Sequence, residues 1–329
     1  MASASEQQSC GEQVSDSVDI SVVIVNWRTP DALRECVKSV LAQANAPPLE
    51  VIVVDNDSRD GSAEMVEHEF PRVRLIANDA NLGFAKACNQ GMHVARARRS
   101  VLLLNPDTTM PPSTLRTMVE VAERQADAAV VGCRVLDAAG SLERTCFRFP
   151  SLLNIVIAGL YLNQLFPRSR FFGREFMTWW DRDDERDVDV VTGSFMLVRR
   201  EAIEQVGIMD EQYFMYVEEA DWCYRFANAG WRCVFSPAAH ITHLSSGSSK
   251  QVWTTMYVWQ RKSTLLFLKK WHGAPIAWAA NLIMLVSTLP RVIAWSLLSL
   301  LGLARDRAKG QLAAVLAALR FHVTGVVPN

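Results

Sequence analysis

The chain has 329 residues, half of them hydrophobic, with 34 Lys and Arg against 35 Asp and Glu and a net charge of −1. That length supports one large or two modest domains with ample core. The apolar content excludes a chain disordered overall, and the near-zero charge excludes a general nucleic-acid binder.

Met1 to Ser17 is polar and rich in Ser, Gln and Glu. Residues 1–18 read as a disordered tail, not as a secretory signal. Ile20 to Val25 is a first strand that ends at Asn26. Thr29-Pro30-Asp31 has the order of an N-cap, an N1 proline and a first-turn acid. The helix it opens carries Leu33, Val37, Val40 and Leu41 at helical spacing through Gln43. Val51 to Val54 is a second strand, ending at Asp55-Asn56-Asp57-Ser58, and Asp60-Gly61 turns into a short helix through Glu69. Val73 to Ile76 is a third strand, and Asn81-Leu82-Gly83-Phe84 opens a helix toward Arg96.

The run Val101 to Leu104 does not alternate, so it reads as a strand buried on both faces. Pro106 has no N–H and ends it. Asp107 is then left at the carboxyl edge of the sheet, where open α/β folds bind ligands. A helix from Pro111 through Gln125 and a strand from Ala128 to Cys133 follow. Strand and helix alternate throughout this stretch, which predicts a mostly parallel sheet with helices on both faces. Such a sheet gathers Asn26, Asp55, Asn105 and Asp107 on one edge. No two glycines have GxG spacing and no G-K-[ST] occurs. The dinucleotide fingerprint and the P-loop are excluded, so side chains and a metal must hold any nucleotide here.

Ser151 to Trp180 is irregular and aromatic, and Asp181 to Asp187 is a charge run of the kind most often found in a solvated loop. Val188 to Val198 resumes strand character, Glu201 to Ile203 reads as a short helix, and Gly207 stops it. Glu218, Glu219 and Asp221 fall in the first turn of a further helix that Gly230 terminates. Acids there interact favourably with the helix dipole, and one of them can equally serve as a general base. Successive helical residues point about 100° apart, so Glu218 and Glu219 are not expected to share one role. A strand from Arg232 to Phe235 leads past Pro237 to His243, either a structural histidine or a ligand, depending on whether Asp107 is close. The seven Cys have no CxxC pair and read as small core residues in a reducing compartment.

Together these residues resemble family 2 glycosyltransferases of the GT-A fold, and most closely their bacterial rhamnosyltransferase-like branch. The resemblance rests on Ile20 to Asn26, Val53 to Asn56, Asp60-Gly61-Ser62, Asn81 to Ala85 with Asn89, and Leu103 to Asp107. It continues through Gly193-Ser194, Val198 to Glu201, Glu218 to Asp221 and His243. It implies a GT-A domain over residues 19–270, with a nucleotide-sugar half (19–135) and an acceptor half (136–270). It further implies that Asn26, Arg28, Asp55, Asn81, Gly83, Phe84, Asn89 and Asn105 bind the nucleotide-sugar. Asp107 and His243 would hold a divalent cation, Mg or Mn. Glu219 would be the catalytic base, with Glu218 and Asp221 as neighbouring carboxylates.

Three departures stand out. Asn105 replaces a first Asp, Glu219 a commoner Asp, and Leu244-Ser245-Ser246 a His-Gly-Gly. The implied activity is inverting transfer from a nucleotide-sugar, dTDP-L-rhamnose first and UDP-sugars second, to a lipid-linked or cell-envelope glycan. A non-catalytic sugar-binding protein that kept the fold is the competing reading, and the presence of both Asp107 and Glu219 argues against it.

From Trp222 onward Asp306 is the only acid among many Lys and Arg. This third of the chain is also apolar, which suits an anionic membrane surface better than nucleic acid. Pro275 to Leu289 and Val292 to Leu303 are uncharged and apolar, separated by Pro290-Arg291. Each is shorter than the roughly 20 residues of a spanning helix. They are expected to be two helices bent at Pro290 within residues 271–329, lying in the cytoplasmic leaflet of the cell membrane with basic flanks. The alternatives are core or dimer-interface helices, or one tilted span.

Overall fold

The computed structural model describes residues 17–244, 253–301 and 305–327. The first half alternates as expected. β1 (Ile20–Asn26), α1 (Pro30–Leu41), β2 (Leu49–Asp55), α2 (Ser62–Glu69), β3 (Arg74–Ala77), α3 (Phe84–Val94) and β4 (Ser100–Leu104) run in sequence. Strands β3, β2, β1 and β4 lie side by side and parallel. Their side chains divide strictly by parity. Val23, Val25, Ile52, Val54 and Leu103 face one apolar cluster, with Ala85, Cys88 and Met92 of α3. Val22, Ile24, Val51, Val53, Leu102 and Leu104 face the other, with Leu33, Cys36, Val37 and Val40 of α1. This burial on both faces is why the strands read as unbroken apolar runs.

The second half begins with β5 (Thr108–Thr109), α4 (Thr114–Arg124) and β6 (Ala128–Asp137). The small strands β7 (Leu142–Glu143) and β8 (Cys146–Phe147) follow, then helices α5 (Leu152–Gly159) and α6 (Leu162–Leu165). Next come β9 (Arg186–Val188), β10 (Val190–Val191), β11 (Phe195–Arg199), α7 (Arg200–Val206), α8 (Glu218–Asn228) and β12 (Arg232–His243). Strand β11 enters between β4 and β6 antiparallel to both, and β12 lies parallel to β6.

Three segments of this second half differ from the sequence reading. Helix α5 was hidden because it is apolar all round and shows no polar face; Ser151 caps it, accepting from the Asn154 N–H at 3.2 Å. The charge run contains a residue that is not solvated at all. Arg182 is fully buried and donates to the carbonyls of Trp180, Cys146 and Phe176. Strand β12 is twelve residues long instead of four. Pro237 does not end it, because the register shifts between Ser236 and His240 and the proline falls inside that bulge.

The chain finishes with α9 (Trp253–His272), α10 (Ala274–Leu300) and α11 (Arg305–Thr324). Helix α9 is anchored in the core by Phe267 and Leu268, and its Ser263 donates to the Met215 carbonyl at 2.8 Å. The two expected apolar helices are one, continuous through Pro290. An internal proline costs about 3 kcal/mol, and packing on α5, α9 and α11 offsets it here. Gly159 of α5 meets Ser287, and Arg291 Nε donates to Tyr161 Oη at 2.5 Å. The six cysteines among the described residues are buried and unpaired by disulfides.

Helix α3 approaches β1 closely enough that an added Cβ on Gly91 would lie 2.4 Å from Val23 Cγ1. Gly91→Ala gains up to about 1 kcal/mol of helix propensity, but overpacking of this kind costs about 1–3 kcal/mol or more. The expected outcome is a lower urea midpoint with an unchanged slope. A midpoint equal to or above that of the unaltered protein would refute the close approach.

Candidate active site

The β1–β2 edge is a closed polar network. Asn26 Nδ2 donates to Asp55 Oδ1 at 2.8 Å and to Ser58 Oγ at 3.0 Å. Ser58 returns its N–H and hydroxyl to the Asp55 carboxylate at 3.0 and 2.6 Å. Thr29 does not cap α1; its hydroxyl donates to Asn26 Oδ1 at 2.8 Å. Asn26 and Asp55 therefore fix each other below the cavity floor. Arg28, held at φ 57, stacks over Trp27, which lines the cavity itself.

The Asn81 turn is organised by Asn56. Its amide donates to Asn81 Oδ1 and the Gly83 carbonyl and accepts from the Leu82 N–H. Gly83, at φ +85, brings the turn against the Phe214 carbonyl, 2.4 Å from where a Cβ would stand. The next N–H, of Phe84, donates to that carbonyl at 2.7 Å. Two cavities open on either side of this junction. One, of about 660 Å³, is lined by Trp27, Asn56, Asn81, Gly83, Pro106 and Asp107. The other, of about 380 Å³, is lined by Glu143, Arg144, Ser194, Glu218 and Glu219 among others. Phe84, Asn105, Met215, Tyr216 and His243 belong to both.

The shared wall follows from strand pairing. β12 pairs with β5, setting His243 opposite Thr108, and the Leu244 N–H donates to the Asp107 carbonyl at 2.7 Å. His243 Nε2 thereby comes within 3.0 Å of Asp107 Oδ1. Its Nδ1 lies 2.9 Å from Glu143 Oε2. Burial pulls this imidazole down, but hydrogen bonds and charge from Asp107 and Glu143 outweigh burial and hold it at about 9. Adjacent ligands of an octahedral ion with bonds of about 2.1 Å stand about 3.0 Å apart. The Asp107–His243 pair has that spacing, and Glu143 orients the imidazole as the carboxylate partner of a metal-bound histidine does. Among the described residues no three His, Cys, Asp or Glu side chains form a closed metal site. A cation here would complete its shell with ligand oxygens. Sequence reasoning missed Glu143, because nothing in a short hairpin marks one acid as the partner of a histidine a hundred residues away.

Opposite this pair stand Glu218 and Glu219. Although successive helical residues diverge, both reach the same cavity and are hydrogen-bonded to each other. They are the first two residues of α8, after Val217 at φ 67, with no preceding helical turn to separate their long side chains. Burial, and then the charge of Glu219, push Glu218 far above the carboxylate range. Burial raises Glu219 too, while backbone N–H groups and Glu218 pull it back. Glu218 is raised the further of the two. Buried Oε2 atoms of both have no hydrogen-bond partner.

Two anticipated residues lie elsewhere. Asn89 is buried behind the site, donating to the Met209 carbonyl and Glu211 and accepting from the Met209 N–H. Asp221 is fully buried and accepts from Tyr213, Arg225, Lys270 and Trp271. It lines neither cavity and clamps α8 to α9.

The parallel first half, the antiparallel β11 insertion and the twin cavities have the architecture of a glycosyltransferase of the GT-A fold. The chain belongs to glycosyltransferase family 2: residues 18–262 match the profile described as Glycosyltransferase like family 2. It is 30% identical over 279 residues to the N-acetylglucosaminyl-diphospho-decaprenol L-rhamnosyltransferase of Mycobacterium tuberculosis, spanning 79% of this chain and 89% of that one. It is also 30% identical over 174 residues to the rhamnosyltransferase WbbL of Escherichia coli, spanning 52% and 61%. The mannosyltransferase PcManGT from Pyrobaculum calidifontis, solved with GDP-Man and Mn2+, shares the fold. It does so with a TM-score of 0.52 at 16% identity, over 95% of this chain and 78% of that one.

Asp221→Asn breaks a buried ionic cluster, a change that costs about 3–5 kcal/mol. Urea unfolding is expected to show that loss. Turnover per folded molecule should fall far less than in variants of Glu219. Full stability with abolished turnover would make Asp221 the working carboxylate instead.

Proposed function

We propose that this glycosyltransferase is inverting and metal-dependent, and that it moves L-rhamnose from a nucleoside-diphosphate donor to a lipid-linked glycan at the cytoplasmic face of the membrane. One observation carries the reading: the cavity with Asp107 and the cavity with Glu219 meet at a shared wall of Asn105 and His243. Donor and acceptor can therefore enter from opposite sides and react between them. Trp27 and the Asn81–Phe84 turn would hold the nucleotide, with Asn26, Arg28 and Asp55 shaping its base pocket. Asp107 and His243 would hold the cation, which when bound neutralises charge on the departing diphosphate. The amide of Asn105 would face the sugar. Glu219 Oε2, buried and unpartnered, accepts the proton of the attacking hydroxyl, and attack from its side inverts the anomeric carbon. Glu218 supplies the hydrogen bond that keeps Glu219 ionised.

A lipid acceptor is supported by the decaprenol-linked substrate in the mycobacterial relative's name and by α10. Trp278, Leu282, Val286, Leu289, Ile293, Leu297 and Leu300 are all exposed. They recur every 3.7 residues or so, and so form one straight stripe about 33 Å long. The opposite face is fastened to protein, with Ala280 and Thr288 fully buried and Asn281 bonded to His322. A helix so fastened on one side lies in the membrane plane with its stripe in the acyl boundary.

Nucleoside-diphosphate release, followed with dTDP-L-rhamnose and UDP-sugars, a polyprenyl-diphospho-sugar acceptor and Mn, tests the assignment. Rhamnose transfer that EDTA abolishes is expected. Metal-dependent donor binding without transfer to any acceptor would overturn it. Asp107→Ala should remove transfer and metal-dependent donor binding together, as measured by calorimetry with and without Mn. Unchanged turnover would remove the metal assignment.

Glu219→Gln should cut turnover by about 10²–10⁴-fold with donor affinity intact. A base works only when deprotonated, and burial raises this one. Activity should accordingly fall with decreasing pH along a limb that lies above the ordinary carboxylate range. Glu218→Ala, which deletes the supporting hydrogen bond, should move that limb to still higher pH, whereas Glu218→Gln should move it less. Coincident limbs in all three proteins would show that the pair does not share its proton.

A further inference from the structure

Residues 152–176 are not used by the chemistry, yet they carry the largest apolar exposure outside α10. Leu160, Leu165, Phe166 and Phe171 are 62, 67, 52 and 55% exposed. A globular protein tolerates single exposed apolar side chains, but a contiguous set marks an interaction surface. The segment is physically continuous with α10. Gly159 packs on Ser287 and Tyr161 bonds Arg291, so Leu160, between them, emerges beside the α10 stripe.

Its charge is one-sided. From Ser151 to Trp180 the basic residues are Arg168, Arg170 and Arg174, and Glu175 is the only acid. Arg170 stacks on Trp179, and none of the three guanidinium groups is engaged by a carboxylate among the described residues. Exposed rings and leucines interleaved with free arginines are the composition of an interfacial segment that meets anionic headgroups. The same segment borders the site, since Ser151, Ile155 and Phe176 line the cavity that holds Glu218 and Glu219.

We propose that residues 152–176 are a second lipid-contacting element, which with α10 seats the mouth of the acceptor cavity on an anionic bilayer. The inference rests on the lipid-linked acceptor reading above. With both elements in the surface, an acceptor lipid keeps its chain in the leaflet while its sugar reaches Glu219 past Ile155 and Phe176. Helix α10 alone would leave the protein free to rock about one axis; a second contact fixes the cavity mouth toward the membrane.

The test uses the full-length protein with Phe166→Cys carrying an environment-sensitive fluorophore, and Glu67→Cys on α2 as an exposed control. On phosphatidylglycerol-containing vesicles the Phe166 probe should shift to the blue and resist an aqueous quencher, with less effect on pure phosphatidylcholine. A Phe166 probe that behaves like the Glu67 probe on bound vesicles overturns the proposal. So does a blue shift that grows with protein concentration without vesicles, since a second copy of the chain would then cover the patch.

Leu165→Ser/Phe166→Ser/Phe171→Ser gives a kinetic readout. It should raise KM for a polyprenyl-diphospho-sugar in vesicles about tenfold or more, the worth of one buried apolar side chain. KM for a short-chain soluble analogue should not change, because the altered residues are exposed and touch no catalytic group. Equal KM values in variant and unaltered protein overturn the proposal. Absence of transfer to either acceptor by the unaltered protein would sink the functional reading instead, and the vesicle fluorescence would still decide the surface.

Discussion

The site depends on one contact between distant parts of the chain, the pairing of β12 with β5. Two residues of ladder bring His243 beside Asp107, although 136 positions separate them. The pairing requires β12 to run past its own bulge, and the bulge exists because Pro237 cannot serve the ladder. A proline that looks like a terminator thus sits in the bulge past which the strand runs on toward Asp107. Glu143 takes the far nitrogen of the same imidazole from a hairpin on β6, so three segments agree on one ring orientation.

A second constraint acts across the cavity. Two adjacent carboxyl groups buried together cannot both ionise at low cost. Burial raises both, and the hydrogen bond between them acts unequally, pushing Glu218 up and pulling Glu219 back.

The parallel first half was legible because strands covered on both faces leave unbroken apolar runs, and their polar ends mark one edge of the sheet. Of the residues that this logic and the family resemblance pointed to, Asn81, Gly83, Asn105 and Asp107 line a cavity, while Asn26 and Asp55 lie behind it, bonded to each other. Legibility failed where partners are remote or patterns are masked. Asn89 carries a family motif position, but its amide serves the Met209 backbone 120 residues away. Asp221 looks like a third first-turn acid, yet Lys270 and Trp271, from a helix the sequence does not place beside it, claim both its oxygens. Arg182 sits in a run that any charge count sends to solvent, and only the carbonyls of a convoluted loop reveal why it is buried. Helix α5 escaped notice because a helix apolar on every side has no period to detect.

The buried cysteines have a practical corollary. Six thiols are spread over the two core clusters and both halves of the domain. Burial suppresses the ionisation of Cys36, Cys88, Cys133 and Cys146, with Cys36 held up at about 12 and Cys133 higher still. A thiol reacts as its anion and only where reagent can reach it. Alkylation of the native enzyme must then wait for each region to open, and the modification rate at each position reports the free energy of that opening. The protein carries its own set of local stability gauges, read by mass spectrometry with no label introduced.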